Sequence, residues 1–331
     1  MNNIYSESFL EEFKELREKI NAELFKYINE VKAPDKLYNA SFHLIRSGGK
    51  RIRPIILVKV NEMFGGDFSE AIPAAIAIEL LHNFTLIHDD IMDRDEYRRG
   101  VKTTHVVYGE SMALLAGDFL FSIVFNIISA HYNGSKANKL TNIFSDASMK
   151  ICKGQAMDIE PETYIRNMDD YLEMIYLKTA SLIEASVLSG VVLSGRDEYM
   201  DVMSSFGVKI GLAFQMADDL LGIIGDPSKT GKPVGSDIRN GKRTLPILYA
   251  LDKFDVDSKE KFDRVFGNLS ASDNEVNEII KLLIDVGAIE YTRKYMINLA
   301  DEAIKILSRF EENPAKLFLE DLVRFIVYRE I

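Results

Sequence analysis

The chain has 331 residues, 47% of them hydrophobic, a formal net charge of -11 and one cysteine. This acidity argues against nonspecific nucleic-acid binding, which requires a basic surface. A single cysteine excludes an intramolecular disulfide and a cysteine-based zinc site, and we predict that Cys152 is a small buried core residue. The N-terminus has no apolar signal core, and no stretch approaches 18 uninterrupted apolar residues. We therefore expect a cytoplasmic protein without an integral membrane segment.

Apolar residues recur at spacings of three and four along most of the chain, which predicts helices. Pro54 suits the first turn of one helix, and Gly65-Gly66 suits its end. Longer helical patterns lie at residues 5–32, 70–93, 109–131, 135–156, 169–193, 197–223, 272–308 and 314–328. The segment at 70–93 is apolar on most faces, which favours a place inside a ring of other helices. Strand signals are scarce and no linker divides the chain, so we predict an all-α bundle in a single domain, 1–331.

An acidic cluster ends the helix predicted at 70–93, where LIHDDIMD contains Asp89, Asp90 and Asp93. Asp89 and Asp93 are four residues apart and share one helix face, where like charges repel each other. A divalent cation would remove that repulsion, and Mg²⁺ prefers carboxylate oxygens, water and substrate phosphates as ligands. A solvated acidic helix end is the plainer explanation, but charge that emerges from a core helix is costly unless paired. The cluster is therefore a candidate magnesium site.

A second aspartate pair, Asp218 and Asp219, ends the apolar stretch GLAFQMADDLLG and is followed by a basic loop. Taken alone, the pair is explained as well by an ordinary helix end. Two such sites in one helical chain suit opposite walls of a cavity, with metal ions clamped around a diphosphate.

Lysine and arginine are concentrated in three loops, at residues 47–54, 94–105 and 225–246. Arginine offers phosphate oxygens a planar fork, and lysine offers a point charge. Solvated surface charge explains any one of these residues, but their position beside the aspartates of an acidic chain favours anion binding. The candidates are Lys50, Arg51, Arg53, Arg98, Arg99, Lys232, Arg239, Lys242 and Arg243.

Polar residues also interrupt segments that otherwise resemble core helices. Lys178 and Thr179 lie in YLEMIYLKTASLIEASVL, and Gln215 lies in GLAFQMA. Each is explained at least as well by a satisfied core polar group. His82 precedes Asp89 by about two helical turns, so it can face the same cavity.

Together these motifs resemble the trans-isoprenyl diphosphate synthase (polyprenyl synthetase) family, and most of all its archaeal-type geranylgeranyl diphosphate synthases. The motifs, in the family's order from residue 47 to 246, are GGKRIRP, LIHDDIMD with RRG, GQAMD, KTASL, FQMADD and GKPVGSDIRNGKRTLP. The resemblance implies the isoprenoid synthase fold, a bundle of long antiparallel helices around a deep central cavity, in a homodimer. It also implies head-to-tail condensation of isopentenyl diphosphate with dimethylallyl, geranyl or farnesyl diphosphate. Two or three Mg²⁺ ions, replaceable by Mn²⁺, would serve as cofactors.

The resemblance implies a role for most of the candidate residues. Its metal ligands match Asp89, Asp90, Asp93, Asp218 and Asp219. Its isopentenyl diphosphate site matches Lys50, Arg53, His82 and Arg99, and its allylic site matches Arg98, Lys178, Thr179, Gln215, Lys232 and Lys242. The catalytic step is assigned to Lys178, Thr179, Gln215, Asp89 and Asp218.

The second aspartate motif departs from the DDxxD of many members, because position 222 is glycine. Asp226 lies too far along the chain to replace the missing acid simply. Relatives that make geranylgeranyl diphosphate often share this DDxxG form, so the departure concerns metal coordination rather than activity.

The length of the product should depend on how far its tail runs along the helix predicted at 70–93. Phe84 lies five residues before Asp89, about 7.5 Å along a helix axis, although Thr85 is closer to the Asp89 face. In similar synthases a bulky residue at the Phe84 position stops growth near the geranylgeranyl length. A plain core phenylalanine is the alternative.

Three other functions stay open. A farnesyl or longer-chain synthase is the nearest alternative within the enzyme class. A class I terpene cyclase would share the fold and a DDxxD motif, but it needs no second-substrate site, and GGKRIRP and RRG indicate one. A non-catalytic partner subunit should have lost an aspartate cluster, whereas both clusters are present.

Overall fold

The computed structural model describes residues 5–225 and 234–328, and nearly all of its regular structure is helical. The helices are α1 Glu7–Glu30, α2 Asp35–Arg46, α3 Ile52–Met63, α4 Phe68–Met92, α5 Thr104–Tyr108, α6 Glu110–His131, α7 Gly134–Ile159, α8 Pro161–Tyr164, α9 Met168–Ile175, α10 Ser181–Leu193, α11 Met200–Ile224, α12 Ser236–Arg239, α13 Leu245–Leu251, α14 Val256–Val265, α15 Asp273–Asp285, α16 Ala288–Leu307 and α17 Pro314–Tyr328. A π-helical turn, Tyr176–Ala180, joins α9 to α10, and a 3₁₀ turn, Asp197–Tyr199, precedes α11. The all-α prediction is confirmed.

Local chemistry explains several helix ends. The Ser6 side chain accepts a hydrogen bond from the Phe9 N–H and caps α1, and Ser272 and Glu275 form a capping box at α15. The single helix predicted at 272–308 is wrong, because the chain forms two helices there. Gly287 adopts a φ of 78° between them, and that left-handed conformation ends a helix.

The chain divides into two compact units. The first unit comprises the chain up to Ser148 together with residues 182–207 and 308–322. The second comprises residues 149–181, 208–307 and the chain from Val323 onward. The single domain over 1–331 stays a prediction.

Helix α4 is the central element of the first unit. It contacts α1, α2, α3, α5 and α6, and nearly every residue from Ala74 to Asn83 is buried. The predicted position of this apolar segment among other helices is therefore confirmed within the first unit. The C-terminal end of α4 emerges from that core with its aspartates.

Helix α13 is the corresponding buried element of the second unit. It contacts α9, α15 and α16, and the rings of Tyr249 and Tyr291 stack with centroids 4.3 Å apart. Arg243 lies two residues before α13 and donates a hydrogen bond to the Ile165 carbonyl oxygen at 3.1 Å. This packing places the basic segment before α13 close to the start of α9.

The prediction that Cys152 is buried is wrong, because its side chain is exposed on α7. Ile151, Gly154 and Gln155 are buried, whereas Cys152 and Lys153 are exposed. The cysteine therefore lies on the outward face of an amphipathic helix. The prediction from residue type alone placed its side chain on the buried face.

A short β-hairpin follows the first aspartates, with β1 at Tyr97–Arg98 and β2 at Val101–Lys102. In the described ranges these are the only strands, which agrees with the scarcity of strand signals. The two turn residues, Arg99 and Gly100, have φ values of 54° and 77°. A two-residue hairpin turn requires such positive φ values, which explains the glycine of RRG.

Three helical segments have the length and hydropathy to cross a membrane: Phe68–Met92, Glu110–His131 and Met168–Leu193. The buried share of their most apolar windows is 67%, 44% and 78%, respectively. Burial in the protein thus accounts for most of the apolar surface in the first and third segments. The absence of an integral membrane segment stays a prediction, as does the cytoplasmic location.

Candidate active site

Arginine side chains surround His82, which lies on α4 in the first unit. Arg51 and Arg53 come from the start of α3, and Arg98 and Arg99 come from the hairpin. Burial, followed by the charges of these arginines, lowers the pKa of His82 well below its usual value. His82 is therefore neutral at pH 7, and its Nε2 lies 3.3 Å from Arg53 Nη1. The cluster concentrates positive charge in an acidic chain, as anion binding requires.

The double glycine before α3 allows these arginines to approach the backbone. Gly49 has a φ of 154°, and a Cβ there would lie 2.8 Å from Arg51 Nη1 and 3.2 Å from Arg99 Nη1. Arg99 Nη1 also donates hydrogen bonds to the carbonyl oxygens of Leu44 and Gly48. Any side chain at Gly49 would displace a guanidinium group, which explains the glycine in GGKRIRP.

Arg51 anchors this loop. Its buried guanidinium donates to Glu79 Oε1 at 2.6 Å, to Asn21 Oδ1 at 2.9 Å and to the Ile45 carbonyl oxygen at 2.9 Å. Because Nε, Nη1 and Nη2 each bond to the protein, Arg51 organises the loop rather than offering a fork to a ligand. The next cation along the chain, Arg53, is half-buried and contacts His82.

The residues predicted to bind isopentenyl diphosphate are partly brought together. Arg53, His82 and Arg99 belong to the cluster around His82. Lys50 is exposed on the loop that precedes α3. The roles of these residues stay predictions, although their grouping in the first unit agrees with a shared ligand.

The first aspartates lie in the last turn of α4. Asp89 is half-buried, Asp90 is fully buried, and Asp93 is the exposed C-cap. Arg98 Nε donates to Asp90 Oδ1 at 2.5 Å, and Oδ2 has no hydrogen-bond partner in the part of the chain that the structure describes. Burial raises the pKa of Asp90 to about 6, although Arg98 opposes that rise. A buried carboxylate with one unsatisfied oxygen, beside two more carboxylates, would be stabilised by a cation.

Lys178 and Thr179 lie in the π-helical turn of the second unit. Such turns are rare and are frequently found at functional sites. A Cβ at Gly154 would lie 2.3 Å from the Lys178 backbone nitrogen, and one at Gly211 would lie 2.5 Å from Ala180 Cα. These two glycines therefore let α7 and α11 pack directly against the turn that presents Lys178 and Thr179.

A small cavity in the second unit is lined by many of the predicted allylic-site residues. Its polar lining includes Asp158, Lys178, Thr179, Gln215, Asp219 and Lys242. The Thr179 hydroxyl donates to Gln215 Oε1 at 2.6 Å, and Gln215 Nε2 donates to Asp219 Oδ1 at 2.8 Å. This chain of hydrogen bonds fixes which end of the Gln215 amide points to each neighbour.

Asp219 is the buried member of the second pair, and Asp218 is half-buried. Asp219 Oδ2 accepts a hydrogen bond from the Tyr171 hydroxyl at 2.6 Å. Burial, and then the negative charge of Asp237, raise the pKa of Asp219 to about 7, although Tyr171 and Gln215 oppose this. Both oxygens of Asp219 are thus held by neutral donors, while Asp218 has the more accessible carboxylate.

Asp158 links two of the predicted cations and was not among the sequence candidates. Lys178 Nζ lies 2.5 Å and Lys242 Nζ 3.7 Å from Asp158 Oδ2. Burial alone would raise the pKa of Asp158, but the charges of Lys242 and Lys178 outweigh it and lower the pKa. The signal that could have found Asp158 is the acid at the end of GQAMD, the one motif without an assigned residue.

Gly222 faces a carboxylate from another part of the second unit. A Cβ at this position would lie 2.2 Å from Asp237 Oδ2. Asp237 lies on α12 and is buried. Its carboxylate therefore occupies the space that a side chain at 222 would need. Sequence reasoning missed this pair because only the fold brings the two positions together.

A model of the polyprenyl synthetase family matches residues 34–283. The chain belongs to the polyprenyl synthetase family. It is 45% identical to a short chain isoprenyl diphosphate synthase of Methanocaldococcus jannaschii, over 96% of this chain and 95% of that protein. It is 42% identical to a geranylfarnesyl diphosphate synthase of Aeropyrum pernix, over 89% of this chain and 95% of that protein.

A crystal structure of geranylgeranyl pyrophosphate synthetase from Pyrococcus horikoshii has a TM-score of 0.91 to this chain. The two chains are 40% identical, and the match covers 98% of this chain and 100% of that one. The resemblance seen in the motifs is thereby confirmed, and this polyprenyl synthetase is a trans-prenyltransferase.

Members of the family use divalent metal ions to bind diphosphate. Across residues 5–225 and 234–328, no group of three His, Cys, Asp or Glu side chains could hold a metal ion alone. Mg²⁺ usually takes one or two carboxylates and completes its shell with water and phosphate, so the aspartate pairs fit this mode. The unsatisfied Oδ2 of Asp90 supports the fit at the first pair. The number of ions stays a prediction.

Two other cations of the basic loop before α13 hold the fold. Arg239 Nη2 donates to Asp273 Oδ1 at 2.5 Å, and its Nη1 donates to the Val234 carbonyl oxygen at 2.8 Å. Arg243 is held by its hydrogen bond to the Ile165 carbonyl oxygen, just before α9. Lys242 lines the cavity, and Lys232 lies outside the described residues.

The two candidate chain-length residues lie on α4. The Phe84 ring packs beside His88 and Phe121, with centroid distances of 4.8 Å and 5.2 Å. Thr85 is buried, and its hydroxyl donates to the His82 carbonyl oxygen at 2.8 Å. Phe84 thus belongs to an aromatic layer between α4 and α6. This position is equally compatible with a residue that stops growth of the product and with a plain core residue.

Proposed function

We propose that this polyprenyl synthetase condenses isopentenyl diphosphate head-to-tail with an allylic diphosphate and that its main product is geranylgeranyl diphosphate. One observation carries the proposal: each compact unit contains an aspartate pair and its own set of anion-binding side chains. The set in the first unit is rich in arginine, and the set in the second contains lysine, hydroxyl and amide groups. Two sets suit two diphosphate substrates, whereas a terpene cyclase needs one.

The arginine cluster in the first unit is the proposed isopentenyl diphosphate site. Arg53 and Arg99 supply positive charge, and Lys50 adds a point charge from the loop. The pKa of His82 is lowered, so its ring is neutral and offers one N–H donor without adding further charge. Isopentenyl diphosphate would be bound by its diphosphate and would keep its double bond free to react.

The cavity in the second unit is the proposed allylic site. Lys178 and Lys242 would take up the charge that develops as the allylic C–O bond breaks, which is stabilisation by prearranged groups. The Thr179 hydroxyl donates its hydrogen bond to Gln215, so the lone pairs of the hydroxyl oxygen can face an electron-poor carbon. Thr179 and Gln215 would thus steady the allylic carbocation.

Metal ions would be held by Asp89, Asp90 and Asp93 in the first unit and by Asp218 and Asp219 in the second. When bound, divalent ions supply Lewis acidity that makes diphosphate a better leaving group. The isopentenyl double bond then attacks the allylic carbocation, and the resulting cation loses a proton to the departed diphosphate. Apolar surroundings must exclude water, because water would quench either cation.

The proposal is tested by incubating the protein with labelled isopentenyl diphosphate and each allylic diphosphate in turn. Chromatography of the dephosphorylated products should show mainly the 20-carbon alcohol. A farnesyl or longer product would contradict only the proposed chain length. A longer product is the alternative with direct support, because a relative of 42% identity is a geranylfarnesyl diphosphate synthase. Failure to consume isopentenyl diphosphate would contradict the condensation itself.

The homodimer is also a proposal. Helix α6 leaves Leu114 and Leu115 exposed, at 44% and 56%, and such an apolar face suits a second copy of the chain. Light scattering coupled to size-exclusion chromatography should give twice the chain mass.

A further inference from the structure

Asp158 lies between two lysines in the cavity of the second unit. Lys178 Nζ is 2.5 Å and Lys242 Nζ 3.7 Å from the same atom, Asp158 Oδ2. The Asp158 side chain is 12% exposed, and those of Lys178 and Lys242 are 20% and 36% exposed. We infer that Asp158 is a positioning residue that holds both lysines in place for the allylic diphosphate. The inference rests on the proposed function of this cavity.

The positive charges of Lys178 and Lys242 repel each other. Both ammonium groups lie within 4 Å of one carboxylate oxygen, in a partly buried site where charges are weakly screened. Without the carboxylate, the two groups would separate, and each would lose the geometry that it has in the cavity. Asp158 therefore lets the cavity present two positive charges close together before any anion enters.

Lys178 gains most from this contact. Its backbone is fixed by the π-helical turn and by the close approach of Gly154. Its side chain is long and flexible and has many rotamers when it is free. The short hydrogen bond to Asp158 restricts the end of that side chain, so the reaction does not have to reorganise it.

A purely structural ion pair is the competing explanation. Asp158 lines the cavity itself, beside Lys178, Thr179 and Gln215. The second unit contains an ion pair of the structural kind for comparison, Lys209 with Glu302, which joins α11 to α16 and does not line this cavity. The two explanations differ in which kinetic constant the loss of the carboxylate should change.

The test is steady-state kinetics of four variants: Asp158→Asn, Asp158→Glu, Lys178→Met and the double variant Asp158→Asn/Lys178→Met. We expect Asp158→Asn to lower kcat by about 10²-fold, the usual cost of misplacing a catalytic group, and to leave the KM for isopentenyl diphosphate unchanged. Asp158→Glu keeps the charge and should recover part of the loss. In the Asp158→Asn background, Lys178→Met should lower kcat much less than in the wild type, because the two residues act together.

Glu302→Gln is the matched control, since it breaks the Lys209 pair and should leave all kinetic constants unchanged. Multiplicative effects of Asp158→Asn and Lys178→Met would overturn the inference, and so would wild-type kinetics for Asp158→Asn. If Asp158→Asn fails to fold, the kinetic constants of Asp158→Glu test the inference instead. A folded Asp158→Glu with both KM values raised equally overturns the inference, and one with only its kcat lowered supports it. A wild-type protein that does not consume isopentenyl diphosphate would instead overturn the proposed function.

Discussion

The two aspartate pairs each follow an apolar helical stretch, but their electrostatic surroundings differ. Asp90 is balanced by the charge of Arg98 at 2.5 Å, and its pKa is raised to about 6. Asp219 is held by two neutral donors, Tyr171 and Gln215, with the negative Asp237 nearby, and its pKa is raised to about 7. The Asp90 carboxylate is thus paired directly with a cation of the protein in the first unit. The Asp219 carboxylate in the second unit accepts hydrogen bonds from neutral side chains, and the positive charge of Lys242 acts on it as well.

The largest expected effect comes from removing the accessible member of either pair. Asp89→Ala and Asp218→Ala should each lower turnover by at least about 10²- to 10³-fold, because each removes charge stabilisation needed as diphosphate leaves. Incorporation of labelled isopentenyl diphosphate measures the loss, and circular dichroism should show an intact fold. Near-normal turnover in either variant would mean that only one pair takes part in the reaction.

The second prediction tests the difference in charge compensation. Arg98→Gln should destabilise the protein by about 3 kcal/mol, because it leaves the fully buried Asp90 carboxylate without its partner. Tyr171→Phe should cost only about 1.5 kcal/mol, because Gln215 still donates to Asp219. Urea unfolding measures both. An equal or larger cost for Tyr171→Phe would contradict the proposed difference between the pairs.

The third prediction concerns the glycine of the second motif. Restoring the common acid with Gly222→Asp should destabilise the protein by about 1 to 3 kcal/mol, because the new side chain overlaps the Asp237 carboxylate. Thermal unfolding measures this loss. Combining it with Asp237→Gly should restore much of the stability. If the single variant is as stable as the wild type, Asp237 does not fill the place of a side chain at 222.

The fourth prediction should have the smallest effect on rate. Phe84→Ala should lengthen the product by one or more isoprene units while turnover stays close to that of the wild type, because only the aromatic layer on α4 changes. Phe84→Tyr keeps the ring and should keep the wild-type product. Chromatography of the products measures the chain length. An unchanged product spectrum for Phe84→Ala would show that Phe84 is not the residue that stops growth of the product.

The sequence predicted features that depend on local pattern. Helical periodicity located the apolar α4 and the aspartates at its end, and loop composition located the arginines around His82. Partners joined only by the fold could not be predicted, such as Asp237 with Gly222 and Asp158 with Lys178. Composition also could not separate the anchoring Arg51 from the neighbouring Arg53, because the difference lies in burial and in the hydrogen bonds of the guanidinium.

The central claim is that the arginine cluster around His82 and the cavity in the second unit bind different substrates, and a crossed set of Michaelis constants tests it most directly. Arg53→Gln should raise the KM for isopentenyl diphosphate by about 10- to 100-fold, the cost of a hydrogen bond to a charged group, and leave the allylic KM unchanged. Lys178→Met should affect only the allylic substrate, through its KM or through kcat. If both variants raise the KM of the same substrate, the assignment of one substrate to the arginine cluster and the other to the cavity is contradicted.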